Sequence, residues 1–333
     1  MNTIQSINSF LSDRGWLHIT DPEEEIRFLA AGEYNANYLI TINEIYGQAQ
    51  HVFRINHGSQ LGLDRQIEYE YAVLHALSRS GVTPRPFFCE PEPGYDELGH
   101  GVLLMEYLPG VPLDYKKDWQ EAASIFAKVH AQPVNDALIV QANPVLEIAR
   151  ESEGLIRRFD DHPLQEQRDM LLSYLDRIMD LADKAAPLFE DDPMVIVNTE
   201  VNSHNFIISE DDDSKQGWLV DWEKAVVSSR FQDIGHFLVP TTTLWKTDFR
   251  FDDEGRKAFV AAYLEAADTD MDLDTAMQCA DVMEKTILLR AMSWCFMAYY
   301  EYTQSNRMLK NNDTFVKIQY NMDKMECFFG QKR

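Results

Sequence analysis

The most constraining feature of this chain is a set of polar side chains at the ends of three short apolar runs near its middle. The run 195–197 leads into Asn198-Thr199-Glu200, a second run begins after Asn205, and a third ends just before Asp221. Short apolar runs bounded by polar turn residues predict buried β-strands. The chain must therefore fold around a short β-ribbon that delivers two carboxylates and an amide.

Length and composition predict a globular protein with two lobes. At 333 residues the chain exceeds what one compact core usually holds, and 45% of its residues are hydrophobic. The net charge of −25 argues against nucleic acid as a partner, because neutralising phosphates requires a basic face. An acidic surface would suit a small cationic substrate.

The sequence also predicts a cytoplasmic protein that is not bound to a membrane. Residues 1–15 lack the charged and apolar regions of a signal peptide. The most apolar late stretch, 286–300, is interrupted by Arg290 and is too short to span a bilayer. The cysteines lack metal-ligand spacing, so we expect reduced thiols. The sequence leaves the formation of a homodimer open.

The spacing of apolar residues changes after residue 110. The first third contains four strand-like ranges rich in β-branched and aromatic residues, 26–30, 38–42, 51–55 and 102–107, and one predicted helix, 66–80. Later the spacing is mostly helical, over 117–131, 164–189, 254–268, 273–305 and 310–328. We therefore predict an α+β, bilobal fold with a small antiparallel β N-lobe (residues 1–109) and a larger, mainly helical C-lobe (residues 110–333).

The polar residues of the middle segment supply what phosphoryl transfer needs, which is mostly positioning and neutralisation of charge. A carboxylate must meet the acceptor hydroxyl, and this is the role predicted for Glu200. Hard oxygen ligands must hold Mg²⁺, and the candidates are Asn205, Asp221 and Glu223. We accordingly predict Glu200, Asn205 and Asp221 as the catalytic residues.

The predicted N-lobe supplies candidates for binding ATP. Arg54, on the third strand, is the predicted cation for the phosphates, and Glu70, on the helix 66–80, is its partner. The turn after the first strand is expected to direct backbone amides toward the phosphates. Its candidate residues are Gly32, Asn35 and Asn37. Backbone groups from Glu106 to Leu108, where the strand 102–107 ends, are expected to bind the adenine.

In this order the motifs resemble those of the aminoglycoside phosphotransferase and choline kinase family, a branch of the protein-kinase-like fold. The resemblance extends over about residues 20–300 and rests on six stretches, 31–39, 81–86, 104–110, the loop around Glu200, 220–223 and 230–237. It implies a kinase-like fold and an ATP- and Mg²⁺-dependent enzyme. The expected acceptor is a hydroxyl group of a small molecule, choline-like or aminoglycoside-like.

Three positions depart from the pattern of this family. The loop reads Asn198-Thr199-Glu200 where the family usually has His-Gly-Asp. The extra methylene of glutamate moves the carboxylate by ~1.5 Å, and a misplacement of about 1 Å can lower a rate about 100-fold. Arg54 stands where the family usually has lysine, in which the chain resembles choline kinases. The phosphate turn contains a single glycine.

Candidates for the acceptor side lie in the predicted C-lobe. Trp294, Tyr299 and Glu301 combine aromatic faces with a carboxylate, which an ammonium group prefers, and their position resembles the aromatic helix of choline kinases. Trp245 lies in a hydroxyl-rich segment that is a second candidate. Asp233 is included because it resembles the aspartate that anchors the catalytic core of the family. The acceptor is therefore expected to be cationic.

Other interpretations stay open on the sequence alone. If Glu200 cannot reach the acceptor, the chain would be a nucleotide-binding pseudokinase without activity, and release of pyrophosphate would indicate a nucleotidyltransferase. Each residue by itself also fits a structural role, such as a turn for Glu200 or a helix N-cap for Asp233. Aromatic residues at helical spacing are more often core than binding site.

Overall fold

The structure is a computed structural model that describes residues 2–44, 47–211, 216–304 and 312–330. Within them the strands are β1 (Ile26–Ala31), β2 (Asn35–Glu44), β3 (Gly47–Asn56), β4 (Pro86–Glu90), β5 (Gly101–Glu106), β6 (Val111–Pro112), β7 (Met194–Val197), β8 (Phe206–Ile208), β9 (Gly217–Leu219) and β10 (Val226–Ser229). The helices are α1 (Thr3–Arg14), α2 (Pro22–Glu25), α3 (Gln66–Leu77), α4 (Trp119–His130), α5 (Pro144–Ile156), α6 (Gln165–Phe189), α7 (Phe231–Leu238), α8 (Pro240–Lys246), α9 (Asp253–Ala266), α10 (Leu273–Thr303), α11 (Asn312–Asp323) and α12 (Met325–Gly330).

The chain divides into two compact units, neither of which is continuous in sequence. Unit 1 comprises Met1–Leu113, Ala131–Ile139 and Asn205–Ala225. Unit 2 comprises Asp114–His130, Val140–His204 and Val226–Arg333. The division into lobes after residue 109 stays a prediction, and the units are described separately below.

Unit 1 is built on a five-stranded antiparallel sheet with the order β1-β2-β3-β5-β4. Side chains alternate between the faces of a strand, so Phe53 and Ile55 of β3 share one face. They belong to an apolar core with α1, whose Phe10 ring lies 6.0 Å from the ring of Phe53. Arg54, between them, points to the other face, where it meets α3. The alternation separates the apolar core from the face that carries charge.

A second, three-stranded sheet of unit 1, in the order β6-β8-β9, places two candidate residues side by side. Strands β8 and β9 are antiparallel and pair Phe206 with Leu219. An antiparallel pair brings the start of one strand beside the end of its partner. Asn205, just before β8, therefore lies next to the end of β9, and its carbonyl oxygen accepts a hydrogen bond of 2.8 Å from the Val220 amide.

Unit 2 is mainly helical and is organised around α10, a helix of 31 residues with apolar side chains on most of its surface. Helices α5, α6, α7, α9 and α11 pack against it. The buried strand β7 pairs with β10 and contacts α4. No helix in the described part of the chain is long and apolar enough to cross a bilayer.

The structure confirms the predicted α+β class and most predicted elements. Strands β1, β2, β3 and β5 contain the predicted ranges, apart from the last residue of 102–107, and α10 covers 273–303 of the predicted 273–305. The predicted helix 310–328 is divided between α11 and α12, and its first two residues lie outside the described part of the chain. Elements that were not predicted include strands β4 and β10 and helices α5 and α8.

Gly99 allows a test of how closely unit 1 is packed. Its φ of 61° is left-handed, and a Cβ there would overlap the carbonyl oxygen of Asn56. We expect Gly99→Ala to lower the free energy of unfolding by more than ~2 kcal/mol, because it adds both backbone strain and overlap. Gly62→Ala is the control, since Gly62 has a φ of 69° but no atom within 4 Å of its Cβ position. It should cost ~1 kcal/mol. Equal losses in urea denaturation would contradict the steric explanation.

Candidate active site

Arg54 is the centre of the candidate site in unit 1. It is only 5% exposed, and its Nη1 contacts the Glu70 carboxylate of α3 and, at 3.1 Å, Oδ1 of Asp221. Its Nε donates to Oδ1 of Asn37, on the neighbouring strand β2, at 3.0 Å. One guanidinium group therefore ties together the sheet, helix α3 and the segment that follows β9.

Paired charges oppose the effect of burial on Arg54 and Glu70. Burial alone would lower the pKa of Arg54, but the carboxylates of Glu70 and Asp221 outweigh that effect and raise the pKa. For Glu70, burial is the largest effect and raises its pKa, while Arg54 and a hydrogen bond from the backbone of Trp222 oppose the shift. The cluster has the partners that buried charges require.

The backbone at Asp221 is bent so that its carboxylate meets Arg54 while remaining partly open. Its φ of 64° is in the left-handed region, which aspartate tolerates better than most residues. The next residue, Trp222, is fully buried and donates from Nε1 to the Leu219 carbonyl at 2.9 Å. The side chain of Asp221 stays 31% exposed. A carboxylate that is positioned and still accessible is suited to binding a divalent cation.

Glu223 joins the phosphate turn to the segment after β9. Its Oε2 accepts a short hydrogen bond from Asn35, and its Oε1 accepts one of 3.4 Å from Gln60. Gln66 of α3 donates to its backbone carbonyl at 2.7 Å. The Asn35 carbonyl in turn accepts from the Gly32 amide at 2.9 Å, which closes the turn between β1 and β2. Glu223 therefore holds this turn, and its predicted role as a metal ligand stays a prediction.

The segment that leaves β5 has one backbone amide available, and its role in binding the adenine stays a prediction. The side chain of Glu106 is paired with Arg85 at 3.1 Å, and its amide donates to the Arg85 carbonyl at 2.9 Å. The amide of Leu108 donates to no acceptor in the described part of the chain. A half-buried amide without an acceptor is available to a flat heterocycle that presents a ring nitrogen.

In unit 2, Asp233 holds the turn that carries Glu200. Its carboxylate is fully buried and accepts from the amides of Asn198 at 2.8 Å and Thr199 at 2.9 Å. The Asn198 side chain accepts from the Glu200 amide at 3.0 Å. Asp233 was also predicted among the acceptor residues. Because both of its carboxylate oxygens accept hydrogen bonds from backbone amides, the structure supports a positioning role instead.

The turn is strained at Thr199 and is bonded on both sides. Thr199 has a φ of 69°, which is uncommon for a β-branched residue. Its amide donates to Asp233, and its carbonyl accepts from Nη2 of Arg290 at 3.3 Å. Hydrogen bonds to two charged groups thus fix the peptide units that precede Glu200.

Behind Asp233 lies a chain of buried polar groups. Nε2 of His130, at the end of α4, lies 3.4 Å from Asp233, and its Nδ1 lies 2.9 Å from the hydroxyl of Tyr263. Tyr263 also bonds Arg230, which pairs with Asp192 at 2.7 Å. The position of the turn before Glu200 therefore depends on side chains from α4, α9 and the start of α7.

The predicted acceptor residues do not form one group. The rings of Trp245 and Trp294 meet edge to face, with centroids 6.0 Å apart. Tyr299 lies five residues after Trp294, about 140° away around the helix, and packs on Phe315 instead. Glu301 shares the face of Trp294 but lies ~10 Å further along the helix, and it pairs with Arg158 at 3.6 Å. The tryptophan pair is the acceptor candidate that the helix geometry supports.

The family model described as the phosphotransferase enzyme family matches residues 25–273. The chain belongs to the phosphotransferase enzyme family. Comparison with curated proteins gives no significant match.

Several solved structures with low sequence identity to this chain have the same fold. The choline kinase from Cryptosporidium parvum Iowa II is 15% identical, with 98% of this chain and 96% of that chain covered and a TM-score of 0.66. The Plasmodium vivax ethanolamine kinase is 14% identical, with 93% and 84% covered and a TM-score of 0.63. The AMP-bound spectinomycin phosphotransferase is 12% identical, with 99% of each chain covered and a TM-score of 0.55. These neighbours confirm the kinase-like fold.

In this phosphotransferase, some of the candidate residues were predicted from the sequence and others were missed. Hydrogen bonds in unit 1 bring together Asn35, Asn37, Arg54, Glu70, Asp221 and Glu223, most of the predicted nucleotide and metal set. In unit 2 the missed residues are Asn198, His130 and Arg290. Arg290 had one signal, because it is the single charge in the apolar stretch 286–300.

The buried pair of Arg54 and Glu70 predicts a pH-dependent loss of stability. Glu70 has a folded pKa above its ordinary value, so its contribution is complete below the unfolded pKa and is lost as pH rises through the folded pKa. Arg54→Met removes a charge that opposes this shift. We expect it to lower the free energy of unfolding by about 3–5 kcal/mol near pH 8 and by less near pH 5.

Urea denaturation at both pH values measures this difference. The double variant Arg54→Met/Glu70→Gln is the control, because it removes the titrating group and should show an equal loss at both pH values. A pH-independent loss in the single variant would contradict the argument.

Proposed function

We propose that the protein is an ATP- and Mg²⁺-dependent phosphotransferase that phosphorylates a hydroxyl group of a small, cationic molecule. The observation that carries the proposal is the bridge in unit 1 from the sheet arginine Arg54 to Glu70 of α3 and to Asp221. A cation oriented by a helix carboxylate next to a metal-binding aspartate is the arrangement that phosphoryl transfer uses. The family membership and the kinases among the structural neighbours support the same reaction class.

The residues of unit 1 suit a magnesium nucleotide. Asn205 and Asp221 offer oxygen ligands at adjoining strand ends, and Asp221 is partly exposed. ATP supplies the transferred phosphoryl group, and Mg²⁺ neutralises charge on its phosphates. Arg54 would bind the phosphates, the turn containing Gly32 would cover them, and Leu108 would donate its amide to the base.

Glu200 is the proposed base of the reaction. It follows the peptide units that Asp233 and Arg290 fix, so its backbone is positioned although its side chain is longer than aspartate. We propose that its carboxylate orients the acceptor hydroxyl and accepts the proton as the oxygen attacks phosphorus. The positive charge of the acceptor would meet the π faces of Trp245 and Trp294.

Replacing Glu200 tests the proposal directly. We expect Glu200→Gln to lower kcat by at least about 100-fold, the usual contribution of a general base, while the affinity for ATP stays within about twofold. ADP formation with a panel of small alcohols and amino alcohols measures the first effect, and calorimetric titration with ATP measures the second. Asp221→Ala provides the blank, because it removes a proposed metal ligand.

The exposed Glu190 provides a matched control, since Glu190→Gln makes the same chemical change away from the turn. An unchanged rate in Glu200→Gln would contradict the assigned role. ATP binding by the wild type without a phosphorylated product from any acceptor would favour an inactive pseudokinase instead. Release of pyrophosphate in place of ADP would indicate nucleotidyl transfer.

A further inference from the structure

Four arginines are buried in the described part of the chain, and one of them has no acidic partner. Arg54, Arg230, Arg256 and Arg290 are each between 5% and 7% exposed. Arg54 is paired with Glu70, Arg230 with Asp192 and Arg256 with Glu284. No carboxylate within the described residues pairs with Arg290. The chain carries 55 acidic residues against 30 basic ones, so the exception does not reflect a shortage of acids.

The bonds that Arg290 makes leave most of its charge unmatched. Its Nη2 donates to the Thr199 carbonyl at 3.3 Å and lies 3.4 Å from Nδ1 of His236. Neither group is a carboxylate, and within the described part of the chain Nε and Nη1 donate to no acceptor. A buried guanidinium group normally requires an anion and further hydrogen bonds. Among the residues that the structure describes, Arg290 therefore lacks the anion that a buried guanidinium group requires. It is hydrogen-bonded to Thr199, the residue that precedes Glu200.

A second buried polar group lies on the facing helix. Residues four apart share one face of a helix, so Arg290 lies beside Trp294 on α10, and Thr241 lies beside Trp245 on α8. The two tryptophan rings meet at 6.0 Å, so we infer that these sides of α8 and α10 face each other next to the tryptophans. Thr241 is 5% exposed, and its hydroxyl has no hydrogen-bond partner within the described residues. We call this surface of Thr241, Trp245, Arg290 and Trp294 the α8–α10 face.

We propose that the α8–α10 face binds a carboxylate of the acceptor, which makes the substrate a small hydroxy acid, zwitterionic if it also carries an ammonium group. Arg290 binds the carboxylate, and Thr241 donates its hydroxyl to it. A single carboxylate matches the single charge of Arg290, and its planar oxygens match the guanidinium fork. The inference rests on the proposed phosphotransferase activity and changes the charge of its acceptor, from cationic to zwitterionic or, without an ammonium group, anionic.

Matched acceptors that differ only by a carboxylate test the proposal. The pairs are L-serine with ethanolamine, L-homoserine with 3-aminopropanol, and D-glycerate with ethylene glycol. For at least one pair we expect the wild type to favour the acid in kcat/KM by about 10- to 100-fold, the effect of a hydrogen bond to a charged group. Arg290→Gln should remove that preference, mainly through KM of the acid, in addition to any loss that both members of a pair share through the turn before Glu200.

Two further variants separate recognition from support of the turn. Gln can still donate to the Thr199 carbonyl, so a purely structural role predicts equal behaviour toward both members of a pair. Arg290→Lys keeps the charge and should restore part of the preference for the acid. Thr241→Val removes the hydroxyl at nearly the same side-chain volume and should weaken the binding of the acid only. Arg150→Gln, on the exposed face of α5, is the neutral control.

The outcomes distinguish this inference from the proposed function. Preference for the decarboxylated member in every pair, or equal losses for both members in Arg290→Gln, would overturn the carboxylate site while leaving a kinase. If neither these pairs nor the wider acceptor panel gives ADP, the proposed function fails, and thermal-shift titration of the full chain with the same pairs decides the site. Stabilisation of the wild type by an acid, absent in Arg290→Gln, supports it. No stabilisation by any acid overturns it.

Discussion

Unit 1 depends on the buried charge of Arg54. Two unit charges 4 Å apart interact by ~4 kcal/mol at the effective dielectric constant near a protein surface, so a guanidinium group removed from water strongly favours arrangements that supply carboxylates. The two that reach Arg54 come from α3 and from the segment after β9. Sheet, helix and Asp221 must therefore be assembled together, and the position of a proposed metal ligand follows from the folding of the sheet face.

In unit 2 the turn before Glu200 is held by a buried carboxylate that accepts hydrogen bonds from the backbone. Asp233 accepts from two successive amides and is supported from behind by His130, Tyr263 and Arg230. Hydrogen bonds to a charged group contribute about 1.5–3 kcal/mol each, and here both act on a turn of three residues. The turn is thereby held by residues far apart in sequence.

The difference between local and distant partners explains what the sequence could predict. Arg54 was predictable because alternation along β3 and the helical pattern around Glu70 are local signals, and the order of the motifs supplied Asp221. His130 and Arg290 act through contacts with residues more than 90 positions away, which no local pattern encodes. Tyr299 and Glu301 are the opposite case, because their residue types suggested a binding site. The helical period, however, places Tyr299 on a different face of α10 from Trp294, and it places Glu301 ~10 Å further along the helix than Trp294.

The two unusual residues of this turn, Thr199 and Glu200, are best understood together. A glycine, as in the family pattern, has no difficulty at a φ near 69°, whereas Thr199 adopts it at a cost of ~1–2 kcal/mol. The bonds from Asp233 and Arg290 are large enough to offset that cost. A threonine also resists relaxation toward other conformations that glycine would allow, because its branched side chain narrows the accessible φ and ψ. The longer side chain of Glu200 adds a rotatable bond. A stiffer backbone at Thr199, the preceding residue, limits how far the Glu200 carboxylate can move.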